Sequence, residues 1–144
     1  MNKVRNLLKL KDNAVWSTPS SATALDAVKL MAEKHIGGVL VVEDGKLVGI
    51  FTERDFAYKI GCFEKSPHEI KLSEVMTLNP ITVTPDNSIN DCMALMTDKH
   101  IRHLPVVEDG KLVGVISIGD VVKDLIEELQ FMVTQLEKYI TGLR

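Results

Sequence analysis

The chain has few cysteines and no long apolar run. Cys62 and Cys92 are its two cysteines; they lie far apart and form no C-x-x-C motif, so both are expected to be reduced thiols. No apolar stretch approaches the ~20 residues that a membrane-spanning helix needs. Near the N-terminus, the pair Leu7 and Leu8 stands where a signal peptide would carry a longer apolar segment. These absences predict a cytoplasmic protein that does not enter a membrane.

An excess of positive charge is also missing. Against 17 Lys and Arg stand 20 Asp and Glu, which gives a formal net charge of −3 and a pI near 5.8. Such a chain presents no broad positive field, so nucleic acid is not expected as its main partner. The sequence contains no G-x-S-x-G elbow, Walker loop, G-x-G-x-x-G or H-E-x-x-H motif. A binding protein is therefore a better expectation than an enzyme.

An internal repeat fills most of the 144 residues. Residues 41–49 are identical to residues 106–114, and the same offset of 65 positions aligns Asp26, Met31 and Asp55 with identical residues. A fixed offset of this kind indicates two copies of one supersecondary unit. The hydrophobic content of 45% is enough for one compact domain or two intertwined small ones.

Each copy has the pattern of an α/β unit. Apolar residues at helical spacing predict a helix over residues 23–34, and short Val-rich runs on both sides of Asp44–Gly45 and Asp109–Gly110 predict two hairpins. The predicted order in each copy is strand, helix, strand, strand, helix. The predicted strands cover 15–18, 38–42 and 47–52 in the first copy and 81–84, 104–107 and 112–117 in the second, and a helix follows Asp55 and Asp120.

Further helical segments flank the copies. Residues 4–8 and 71–76 have the pattern of short lead-in helices, one ahead of each copy. Apolar residues at three- and four-residue spacing, without a proline, predict a long C-terminal amphipathic helix: Val122, Leu125, Leu129, Met132, Leu136, Tyr139 and Ile140. We expect a first repeat at 1–61, a linker at 62–70, a second repeat at 71–125 and a helical extension at 126–144.

Three segments resemble the CBS domain, a motif of roughly sixty residues named after cystathionine β-synthase. They are HIRHLPVV at 100–107, GVISIGD at 114–120 and GIFTERD at 49–55. The resemblance covers about residues 4–125 and implies a tandem pair, the Bateman module. It implies an α/β fold in which two CBS repeats (β-α-β-β-α) pack sheet against sheet about a pseudo-twofold axis. The two clefts of such a pair commonly bind adenine nucleotides, and many pairs form flat dimers.

The resemblance also implies which residues bind the ligand. Carboxylates that accept from ribose hydroxyls, and hydroxyls or cations for phosphate, are the groups that a nucleotide needs. One cleft would use Asp120 for the ribose, with Ser117, Arg102, His103, Thr18 and Ile36. The other would use Asp55 for the ribose, with Thr52, Arg54, Thr84 and Ile101.

The two clefts differ in their expected cations. The γ subunit of AMP-activated protein kinase has a His-Arg pair just before the corresponding strand, and this chain has Arg102–His103 there in the opposite order. The first copy has Gly37–Gly38 instead. We therefore expect the cleft of Asp120 to bind phosphate better.

Several alternatives stay open. The two aspartates could cap the helices that follow them, Arg102 and His103 could be solvated loop residues, and the long helix could fold back on its own repeat instead of pairing in a homodimer. No metal is expected, because His100 and His103 have no further Cys or His at ligand spacing. The favoured function is a regulatory module that binds AMP, ADP, ATP or NAD(H), with no obligatory cofactor, and relays that state to an effector protein. A scaffold protein with empty clefts and a small nucleotide-handling enzyme are the rival functions.

Overall fold

The computed structural model describes residues 2–11 and 15–142. The helices are α1 (Val4–Leu10), α2 (Ala24–Lys34), α3 (Glu53–Lys59), α4 (Leu72–Val75), α5 (Ile89–Lys99) and α6 (Ile118–Gly142). The strands are β1 (Ser17–Thr18), β2 (Gly38–Glu43), β3 (Lys46–Thr52), β4 (Thr77–Leu78), β5 (His103–Glu108) and β6 (Lys111–Ser117). The α/β fold with two repeats and a long C-terminal helix is confirmed.

The first helix of each repeat begins and ends in the same way. Thr23 caps α2 and forms a capping box with Asp26, and Ser88 and Asp91 do the same for α5. Each helix ends at a histidine in the left-handed region, with φ of 55° at His35 and 54° at the corresponding residue of the second repeat. The shared sequence signals therefore produce the same turn into the next strand twice.

Both predicted hairpins are confirmed. β2 pairs antiparallel with β3, and β5 with β6, each around an Asp-Gly turn. The first turn has φ of 51° at Asp44 and 77° at Gly45, and the second has 52° and 77°. Positive φ at both central residues is the geometry that matches the twist of the strands, and glycine adopts it without a Cβ clash.

The leading strands of the two repeats differ. β1 pairs in parallel with β2. The strand predicted at 81–84 is wrong: this segment forms a single parallel bridge, between Val83 and Val106. Proline explains the difference, because Pro105 in β5 has no N–H to donate to a longer ladder. The unpredicted β4 instead pairs with β3 and extends the first sheet.

Neither lead-in helix packs on the repeat that follows it in sequence. Val4 and Leu7 of α1 lie in the core of the second repeat, beside Ile89 and Leu104. Residues of α4 lie in the core of the first repeat, around Phe51. The expectation that each short helix serves the copy that follows it is therefore wrong. The exchange ties the two repeats together at both ends.

The last helix leaves the body of the protein. Val121 and Asp124 in its first two turns are buried, whereas Leu129 and Leu136 are each 60% exposed. The alternative in which this helix folds back on its own repeat is thus not observed. Within residues 2–11 and 15–142, no helix has the combined length and apolar character to cross a bilayer.

Candidate functional site

A cavity of about 560 Å³ lies where the two repeats meet. The first repeat contributes residues from the end of β3 and the start of α3, and the second contributes the loop between α5 and β5. The lining residues are Gly37, Ile50, Thr52, Glu53, Arg54, Asp55, Ala57, Tyr58, Thr77, Lys99, His100, Ile101, Arg102 and His103. Cations, two carboxylates, hydroxyls and apolar side chains thus share one space.

Asp55 is the buried acid of this cavity. Its Oδ2 accepts from the Thr52 backbone N–H at 2.9 Å, and its Oδ1 accepts from Thr77 Oγ1 and from Lys59 Nζ, both at 3.1 Å. The side chain is 9% exposed. Thr77 and Lys59 were not predicted: Thr77 lies 22 positions from the acid, and Lys59, one helical turn after it, has no lysine counterpart in the second repeat.

The loop of the second repeat is fixed against the first. Arg54 Nη1 donates to the His100 carbonyl oxygen at 2.6 Å, so the guanidinium of α3 holds the turn that ends α5. Lys99 and Arg102 lie on either side of this turn and also line the cavity. With Arg54, three cations line the cavity against the two carboxylates of Glu53 and Asp55, and this excess of positive charge favours an anionic ligand.

His103 stands at the contact between the repeats. Its ring is half-buried, and burial lowers its pKa from 6.5; nearby Arg102 acts in the same direction, while Glu53 and Asp120 oppose it. The ring is therefore neutral at pH 7 and can both donate and accept a hydrogen bond. A Cβ at Gly37 would lie 3.1 Å from His103 Nε2, so the ring fits because this position is glycine.

Asp120 is held differently from Asp55. Its Oδ2 accepts from the Ser117 backbone N–H at 2.8 Å and from Lys11 Nζ at 2.6 Å. Burial by itself would raise the pKa of Asp120, but the hydrogen bonds from Lys11 and Ser117 and the charge of Lys11 outweigh it and lower the pKa. The lysine was not identified from sequence, since it lies 109 positions away.

The expected grouping of the site residues changes in one respect. Thr52, Arg54, Asp55 and Ile101 line one cavity as expected, but Arg102 and His103 line that cavity too, instead of standing with Asp120 alone. The loop that carries them is held by Arg54, a contact that alignment of the two copies does not reveal. Ser117 does lie beside Asp120.

Thr84, expected in this cavity, and Thr18 and Ile36, expected in the cleft of Asp120, do not line it. Thr18 is in β1 opposite Val41, and its hydroxyl donates weakly to the Pro19 carbonyl at 3.5 Å. Ile36 lines a separate hollow of about 410 Å³ beside α2 and α3. Thr84 is exposed, and its hydroxyl donates to Asn87 Oδ1 at 3.2 Å.

The capping alternative for the two aspartates describes real contacts. Thr52 and Asp55 form a capping box, and Ser117 and Asp120 make the same pair of contacts at the start of α6. Both helices begin two residues before the aspartate, not after it as predicted. A carboxylate in a capping box keeps lone pairs for a ligand, so a cap and a binding group can be the same residue.

A comparison with known sequences decides the family. The family model of the CBS domain matches residues 10–61 and 72–127. The chain belongs to the CBS domain family. It is 40% identical over 133 residues to CBSX3, a mitochondrial CBS domain-containing protein of Arabidopsis thaliana, and the match covers 89% of this chain and 64% of that protein. It is 39% identical over 103 residues to the uncharacterised protein MK0525 of Methanopyrus kandleri, and the match covers 70% of this chain and 53% of that protein.

Solved structures of CBS proteins share the fold. A protein with CBS domains from Burkholderia ambifaria, described as acting in signal transduction, is 43% identical with a TM-score of 0.85, over 88% of this chain and 95% of that one. The CBS domain pair of protein MJ0100, solved with 5′-methylthioadenosine and S-adenosyl-L-methionine, is 25% identical with a TM-score of 0.76, over 86% and 99%. The two repeats of this chain therefore have the fold of a CBS domain pair.

Proposed function

We propose that the chain is a non-catalytic regulatory module that binds an adenine nucleotide between its two CBS repeats. The observation that carries this proposal is the cavity in which the carboxylate of Asp55 faces the cations of Arg54, Lys99 and Arg102. A carboxylate and several cations in one cavity match the ribose hydroxyls and the phosphate of one ligand. AMP, ADP, ATP and NAD(H) are the candidate ligands.

The side chains suggest how the ligand lies. Asp55 accepts from the ribose after Thr77 or Lys59 gives up its hydrogen bond, and Thr52 stands beside it. Arg102 and neutral His103 contact the phosphate. Ile50 and Ile101 supply apolar surface for the base. The bound adenosine compounds of the MJ0100 pair support this ligand class.

We assign the cleft of Asp120 and Ser117 as a second, weaker site, which reverses the ranking expected from sequence. Arg102 and His103, the groups expected to favour that cleft, line the cavity of Asp55. We propose that Thr18 and Ile36 join the second site when its walls close on a ligand. Thr84 joins the first site in the same way.

Calorimetry with AMP, ATP and NADH at fixed ionic strength tests the proposal. Arg102 is exposed and caps no helix, so Arg102→Ala should leave folding intact and weaken AMP binding roughly 10- to 100-fold, the value of a lost charge-assisted hydrogen bond. Lys111→Ala, at an exposed hairpin position, is the matched control. Equal affinity in wild type and Arg102→Ala would contradict the assigned phosphate contact. No binding of any of the three nucleotides would contradict the function.

The long helix supplies a way to relay the ligand state. From Val122 to Tyr139 its apolar residues follow the alternating three- and four-residue spacing of a coiled-coil seam, and four of them are at least half exposed: Leu129, Met132, Leu136 and Tyr139. We propose that this face pairs with α6 of a second copy, which gives a homodimer, and that an effector protein reads the arrangement. A CBS-CP12 protein of bloom-forming cyanobacteria, 31% identical, is hexameric.

The same apolar face favours one rival function, an assembly scaffold that needs no nucleotide. The two functions separate on truncation after Glu127, which keeps the buried Asp124 and removes the exposed apolar residues from Leu129 onward. A scaffold would lose its assembly and have no nucleotide affinity to lose, whereas the proposed module would keep binding AMP at the cavity. We propose the cytoplasm as its compartment, which fractionation of the source cells tests; the similar CBSX3 is described as mitochondrial.

A further inference from the structure

Lys11 forms an ion pair with Asp120, the acid to which the proposed function assigns the ribose of the second cleft. Its Nζ lies 2.6 Å from Asp120 Oδ2 and 2.8 Å from the Val115 carbonyl oxygen, and 28% of its side chain is exposed. A cation with two such contacts is held in place from both sides. The ribose hydroxyls of a nucleotide would have to compete with it for the carboxylate.

The need for this lysine follows from a difference between the repeats. In α3, Asp55 receives its cation from the same helix, one turn later, from Lys59. The position that corresponds to Lys59 in α6 is Asp124, a second acid. Among the described residues, the ion pair of Asp120 is made not by Lys123, three positions later in α6, but by Lys11, the residue that follows α1.

The second acid is held by the same segment. Asn2 Nδ2 donates to Asp124 Oδ1 at 2.8 Å, and Asp124 is 4% exposed. Residues 2–11 thus contact the first two turns of α6 at both aspartates, through Asn2 at one end and Lys11 at the other. We call these two contacts the N-terminal tether.

We propose that Lys11 is an internal occupant of the Asp120 cleft that sets its affinity for nucleotide, so that a ligand entering this cleft displaces Lys11 and loosens the N-terminal tether on α6. The proposal rests on the proposed function and adds a residue that determines how the two clefts share the ligand. If only a small fraction of the molecules has this cleft free to bind, the observed affinity of the cleft is reduced by that fraction. The cavity of Asp55 fills first, and the cleft of Asp120 fills at higher nucleotide concentration.

The test compares Lys11→Met with Lys9→Met by calorimetry with AMP. Methionine keeps the length of the side chain and removes its charge, and Lys9 is an exposed lysine in the last turn of α1, two positions before Lys11. Lys11→Met should tighten the weaker binding event about tenfold, as expected if roughly one molecule in ten has the acid exposed, and Lys9→Met should not. Adding Asp120→Asn to Lys11→Met should abolish the gain.

Two results would overturn the role of Lys11. Unchanged affinity in Lys11→Met, with AMP still bound at the Asp55 cavity, would show that the lysine does not limit the second cleft while the proposed function stands. Weaker binding in Lys11→Met would make the lysine a ligand contact, not an occupant. If neither wild type nor Lys11→Met binds any nucleotide, both the proposed function and the displacement of Lys11 are refuted.

Hydrogen exchange of the ligand-free proteins tests the tether by itself. Lys11→Met should speed the exchange of backbone amides in residues 118–125 by about threefold or more, because the start of α6 loses one of its two contacts with the N-terminal segment. Lys9→Met should match the wild type. Equal exchange in all three proteins would refute the tether whatever the calorimetry shows.

Discussion

Replacement of Gly37 by alanine should weaken both folding and nucleotide binding. A Cβ at this position would lie 2.9 Å from Glu53 Oε1 and 3.1 Å from His103 Nε2, so both neighbours must move. The backbone itself accepts alanine, because the glycines with positive φ are Gly45 and Gly110. The effect therefore comes from the contact between the two repeats.

The structure sets the size of the effect. Glu53 is exposed and can turn away at little cost, whereas the half-buried ring of His103 must shift, and overpacking of this kind costs about 1–3 kcal/mol. Where the backbone conformation accepts alanine, replacing glycine stabilises a protein by about 0.4–1 kcal/mol, because the unfolded chain has less conformational entropy. Gly37→Ala should thus lose about 1 kcal/mol of stability in net terms. Gly61→Ala is the matched control, since nothing lies within 4 Å of its Cβ.

Urea unfolding and AMP calorimetry measure the two consequences. Because the unfolded-state gain is common to both variants, Gly37→Ala should be less stable than Gly61→Ala by about 1.5 kcal/mol. A displaced His103 ring should also weaken AMP binding several-fold. Combining Gly37→Ala with His103→Ala should remove most of the stability difference, because the two residues are in contact. Equal stability of the two alanine variants and unchanged AMP affinity would refute the assigned packing.

Three further predictions concern other parts of the molecule. The pKa of Asp120 in the folded protein lies below its unfolded value near 3.8. Its pairing with Lys11 therefore stabilises the fold above about pH 4, and this stability is lost as the pH falls through the folded-state pKa. In urea titrations from pH 5 to 2.5, Asp120→Asn should lose less stability on acidification than the wild type. Burial raises the pKa of Cys92 to about 11, so a thiol reagent at pH 8 should modify exposed Cys62 quickly and Cys92 only after unfolding. Leu129→Asp with Leu136→Asp should reduce the mass in light scattering to that of a monomer, whereas Glu127→Asp should not.

The repeat predicted the elements well because each signal is local. The Asp-Gly pairs, the capping residues before α2 and α5 and the apolar periods act within a few residues, so the hairpins and both eleven-residue helices fell where the pattern placed them. The 81–84 strand failed because its ladder depends on its partner, and Pro105 offers no donor there.

Contacts between distant segments could not be read in the same way. The exchange of α1 and α4 between the cores depends on which apolar face meets which sheet, and both short helices offer similar faces. Lys11 escaped notice because the helical position that supplies the cation in the first repeat, Lys59, is acidic in the second, and sequence gives no sign of the substitute. The acids, with Thr52 and Ser117 beside them, were identified because they are repeated, and the lysines that pair with them were missed because they are not.

The loop between α5 and β5 connects both clefts to the long helix. Its His100 carbonyl accepts from Arg54 of α3, and its Arg102 carbonyl accepts from the Ile118 backbone N–H at 2.8 Å, where α6 begins. Under the proposed function, a phosphate bound by Arg102 and His103 would act on a segment that holds the first turn of α6. The same turn carries Asp120, which Lys11 holds from the other side. A ligand shifts an equilibrium only by binding its states differently, and the two proposed binding events would act on the start of one helix through separate contacts. The proposed relay therefore needs no further element between the ligand and the exposed apolar face of α6.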